Sequence, residues 1–87
     1  MEDELLKQAQ LGIEAEAFAV SDIGKYLISR ANEELDVARE KLTDVLPTDT
    51  DAIIQWQQQA RTAIHFKTWL LQAISDGHYA ERELNNE

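Results

Sequence analysis

The chain has 87 residues, no cysteine, and 17 acidic against 8 basic side chains, for a formal net charge of −9. These values exclude a disulfide framework or a thiolate metal site. They also argue against direct nucleic-acid binding, which needs lysine and arginine for the phosphates, and they limit the chain to one small domain, 1–87, with a modest core.

Three glycines, one proline and three valines leave little room for strands or long loops. Alanine, leucine, glutamate and glutamine are strong helix formers, so the expected fold is all-α. The first helix is expected over about residues 2–20, with Glu2, Asp3 and Glu4 in the first turn, where negative charge is favoured. Leu6, Ala9, Ile13, Ala17 and Val20 recur at helical spacing. Leu11, Ala15 and Phe18 form a second apolar line. Two such lines fit either one side of a local three-helix core or contacts on two sides.

Ser21 is a good N-cap for a second helix over about 22–46. Ile28, Ala31, Leu35, Ala38, Leu42 and Val45 follow at spacings of about 3 and 4, the seam of an antiparallel helical hairpin. Arg30, Glu33, Glu34, Asp36, Glu40 and Lys41 make the opposite, solvated face. Pro47 disfavours helix at Leu46, and Thr48 or Asp49 can cap the next helix. So short a joint makes the second and third helices antiparallel neighbours.

The third helix is expected over about 50–84, continuing through Gly77 at a cost of about 1 kcal/mol relative to alanine. Ile53, Trp56, Ala60, Ala63, Ile64, Leu70 and Ile74 form one broad stripe, with Phe66 and Trp69 off its centre. Between Asp51 and Asp76 only Arg61 and Lys67 are formally charged. Trp56 and Trp69 point about 140° apart on one helix, so one of them is either half-exposed or an interface anchor. A hairpin with this much apolar surface is expected to complete its core by self-association, most simply as a symmetric dimer. The expected contact residues are Trp56, Arg61, His65, Phe66, Trp69, Leu11 and Phe18.

The sequence offers little chemistry. Thr62 and Ser75 stand three residues before His65 and His78, where a di-iron bundle would have glutamates. Neighbouring carboxylates such as Glu33 and Glu34 point to different sides of a helix, so they cannot share a proton as a catalytic pair does. Gly24-Lys25 lacks the rest of a phosphate loop. No catalytic, cofactor or metal residues are expected, and His65 is expected at a helix–helix contact. No apolar run approaches the roughly 18 residues of a membrane span, and MEDELLKQ lacks the basic start of a secretory signal. A soluble, cytoplasmic protein with no membrane contact is the expectation.

The pattern Gly24-x-Tyr26-Leu27-x-x-Arg30-Ala31, Pro47-x-Asp49, Ala52-Ile53, Gln57, Ala63, Phe66, Trp69-Leu70 and Gly77-x-x-Ala80-Glu81 resembles small helical proteins encoded in tailed phages and prophages, a family without an assigned function. The resemblance covers most of the chain. It implies a phage-encoded protein acting inside the bacterial cell or in particle assembly, and it carries over no functional residues. The expected function is non-enzymatic: an interaction or assembly protein that partners itself and a further basic host or phage protein. The alternatives are an acidic inhibitor of a host defence or nucleic-acid-handling protein, and a binder or sponge for a nucleotide-like molecule at a subunit interface near His65, Trp69 and Arg61.

Overall fold

A computed structural model describes residues 1–86 as three helices without strands: α1 (Glu2–Val20), α2 (Asp22–Asp44) and α3 (Thr50–Asn85). Local chemistry sets each boundary. Ser21 adopts an extended backbone (φ −72°, ψ 160°) between α1 and α2. Its Oγ accepts from the Gly24 N–H at 3.0 Å and donates to the Phe18 carbonyl at 2.6 Å, tying the end of one helix to the start of the next. A Cβ on Gly24 would overlap that same Phe18 carbonyl oxygen, so only glycine allows a corner this tight.

Helix α2 ends two residues before the expected boundary of 46. Val45 is already extended (φ −73°, ψ 142°), and its N–H makes the last bond, to the Lys41 carbonyl. The proline at 47 bars helical geometry at Leu46, and the chain leaves the helix before it. Of the two candidate caps for α3, Asp49 serves, accepting from the Ala52 N–H at 3.2 Å. Helix α3 then runs unbroken through Gly77 for 36 residues, about 54 Å at the α-helical rise.

The pairing is antiparallel. Gln59 Nε2 on α3 donates to the Glu34 carbonyl on α2 at 2.9 Å, and Lys67 Nζ reaches Asn32 Oδ1 at 2.6 Å. Farther along α3, Gly77 meets Gly12 of α1. Thus α2 covers the first half of α3 and α1 the second, while α1 and α2 touch far less than either touches α3. The molecule is a ribbon 58 × 28 × 15 Å, with a thickness close to the diameter of one helix, about 10–12 Å. A local three-helix core, one of the two arrangements open for α1, does not form.

The α2 seam follows the expected spacing. Leu35 and Ala38 are buried, and Ile28, Ala31, Leu42 and Val45 are half-buried. On α3, Ala63 is buried and Ile53, Trp56, Ala60, Leu70 and Ile74 are half-buried, whereas Ile64 remains 42% exposed. Helix α1 departs from the apolar lines read in its sequence. Its buried residues are Ala9, Gly12 and Ala15, while Leu6, Leu11, Ile13 and Val20 all lie open. The cause is the close approach at Gly12 and Gly77. A Cβ on Gly12 would lie 2.7 Å from the Gly77 Cα, and one on Gly77 would lie 2.6 Å from the Gly12 Cα. Helices this close admit only small side chains between them, so the large ones move to the two flanks.

Candidate interaction surfaces

No large side chain is fully buried anywhere among the described residues; the buried apolar set is Ala9, Ala15, Leu35, Ala38, Ala63 and Ala80. A compact chain of this mass exposes about 5,200 Å², whereas this one exposes 6619 Å², an excess of about 1,400 Å² by the same scaling. The radius of gyration is 17.6 Å, against about 12 Å for a compact chain of this length. The interior is therefore a line of alanines and glycines, and most apolar bulk lies on the two broad faces.

The seam separates these faces. Leu27, Ala31, Ala63 and Phe66 line a shallow apolar groove of about 520 Å³ between α2 and α3, rimmed by Arg30, Glu34, Gln59 and Thr62. At this rim Arg30 pairs with Glu33 at 3.4 Å and with Glu34 at 3.2 Å. The two neighbouring carboxylates that diverge along the helix thus share one guanidinium. Arg30 lies four residues before Glu34, a spacing readable in the sequence. Such exposed pairs contribute only tenths of a kcal/mol each.

On the other face, His78 pairs with Glu16, which fixes the edges of α1 and α3 that lie side by side. Helical geometry puts Leu6, Ile13 and Val20 on the Glu16 edge of α1, at intervals of seven. The same geometry puts Ile64 and Leu71 on the His78 edge of α3. These five are 56%, 53%, 70%, 42% and 65% exposed, respectively.

The seven residues expected at an interface do not form one patch. Trp56 is half-buried in the α2–α3 seam, and Phe66 faces the groove. Phe18 is half-buried and Leu11 open on α1. Arg61, His65 and Trp69 follow one another at intervals of four along the outward side of α3, all exposed. His65 therefore does not sit at a helix–helix contact. Its ring stacks on Trp69 instead, with centroids 5.6 Å apart and planes inclined by 25°. The two tryptophans divide as their angular separation requires, one in the seam and one 66% exposed.

Among the described residues no group of three or more histidine, aspartate or glutamate side chains is placed to hold a metal ion. Among the same residues no helix is long and apolar enough to cross a membrane. No family model, curated protein or solved structure matches the chain.

Proposed function

We propose that this protein is a non-enzymatic interaction or assembly piece that folds to completion by associating with a second copy of itself. The observation that carries this reading is the interior: among the described residues only alanine and glycine are buried apart from Leu35, and the surface exceeds that of a compact chain by about 1,400 Å². If each of two copies covered that excess, the interface would total about 2,800 Å², within the range of obligate homodimers. The resemblance to phage-encoded helical proteins supports a setting inside a bacterial cell, in particle assembly or in contact with a host protein.

Thermal melts over a hundredfold range of chain concentration test the reading. A folded dimer gains about 1.4 kcal/mol for each tenfold rise in concentration, so its Tm climbs. A Tm that does not move with concentration, together with light scattering at the single-chain mass, removes the proposal.

A further inference from the structure

We infer that the face bearing Leu6, Ile13, Val20, Ile64 and Leu71 is the surface on which two copies meet. This inference rests on the self-association proposed above and specifies where it occurs. Three observations carry it.

The first is continuity. Leu6, Ile13 and Val20 run at heptad spacing along α1 toward Leu71 of α3, and Ile64 carries the line on along the half of α3 that α2 covers, all of them open in the single chain. The apolar strip crosses from one helix to the other instead of lying on one.

The second is charge. The flanking positions that α2 and α3 add to this face are Lys25, Asn32, Asp36, Arg39, Gln57 and His78, with one acid among them in a chain that carries 17. Lys67 also emerges here, at Asn32. The acids that border the strip are Glu2, Asp3 and Glu16 on α1 and Asp36 on α2, against Lys25, Arg39 and Lys67. The groove face instead carries Glu34 at its rim, paired with Arg30, and helical spacing adds Asp51, Asp76 and Glu83 on the same side of α3 as Thr62, so stacking two of those faces sets acid against acid. A basic partner protein would favour the acidic face; the near-neutral one suits a second copy.

The third is area. The excess surface is enough for one interface of obligate size per chain, with the opposite groove left free.

The absence of cysteine from the chain makes site-specific labelling unambiguous. Thr68 and Thr62 are both exposed and point about 120° apart around α3, Thr62 at the groove and Thr68 one turn from Ile64 and Leu71. In the full chain, the thiol of a Thr68→Cys variant should react with a maleimide at least tenfold more slowly than that of a Thr62→Cys variant. Leu71→Glu should halve the particle mass or unfold the chain, and Trp69→Glu should leave the mass unchanged. The thiol measurement keeps its meaning even if Leu71→Glu does not fold. Protection of the thiol at 62 but not at 68, or dissociation by Trp69→Glu alone, overturns the assignment while leaving self-association standing. A wild-type chain that is monomeric at all concentrations instead removes the reading on which the assignment rests.

Discussion

Replacing Gly77 by alanine sets two effects of known sign against each other. In an isolated helix the change is favourable by about 1 kcal/mol, because alanine loses less backbone entropy and is the better helix former. Here the new methyl would lie 2.6 Å from the Gly12 Cα and 3.2 Å from the Gln8 carbonyl oxygen. Ordinary carbon–carbon contact needs about 3.5–4.0 Å, so α1 has to retreat by roughly 1 Å. Neither contacting atom belongs to a side chain that can rotate away. The retreat loosens the contacts of Ala9, Ala15 and Ala80, three of the six buried apolar residues. Overpacking of this kind costs about 1–3 kcal/mol, and contact with backbone places it at the upper end. After the gain in propensity, Gly77→Ala should destabilise by about 2 kcal/mol. Urea unfolding followed by circular dichroism measures this directly, with Ser75→Ala on the exposed surface as the control. The Gly12→Ala, Gly77→Ala double variant should cost less than the sum of the singles, since the first substitution already opens the gap that the second requires. An unchanged or raised stability for Gly77→Ala would show that the two helices do not approach as described, and the account of α1 would fail with it.

The remaining expectations are simpler. Ser21→Ala removes the acceptor for the Gly24 N–H, and Asp49→Ala removes the one for the Ala52 N–H; each should cost about 1 kcal/mol in the same unfolding assay. Leu35→Asp puts an unpaired charge at a seam position that is 7% exposed, and it should abolish cooperative unfolding by removing about 4 kcal/mol or more. Trp69→Ala should change stability by less than about 0.5 kcal/mol, as for other open positions. Trp56→Ala should cost about 3 kcal/mol, because Trp56 fills the seam. Equal costs for the two tryptophans would contradict their division between seam and surface.

The second helix was readable because its packing follows the ordinary rule. Ile28, Leu35 and Leu42 are large, apolar and spaced for one stripe, and that stripe is the one that packs. Pro47 and Asp49 announced the joint through steric exclusion and capping, and both act as those effects require. The first helix hid its packing because the rule inverts there. Where two backbones come close enough for glycine to face glycine, the packed positions are the small ones, and Leu6, Leu11, Ile13 and Val20 are left outside. All three glycines stand inside helices, Gly12 and Gly77 well away from an end, and an interior helical glycine often has a packing reason; Gly12 and Gly77 are the available signal. His65 misled for a related reason. A histidine in the nearly uncharged middle of a helix suggests a contact between helices, but its position lies on the outward side of α3, where it stacks on Trp69, one turn away. Most of the expected contact residues are aromatic. The structure instead separates them among seam, groove and outer surface, and it leaves Leu6, Ile13, Val20, Ile64 and Leu71 exposed.

Sedimentation equilibrium of the full chain from about 1 to 100 µM bears most directly on whether one copy is a complete fold. The account predicts a species of twice the 9.9 kDa chain mass, with dissociation at the low end accompanied by loss of helical signal. A 9.9 kDa species that keeps its full helical signal and unfolds cooperatively would contradict it.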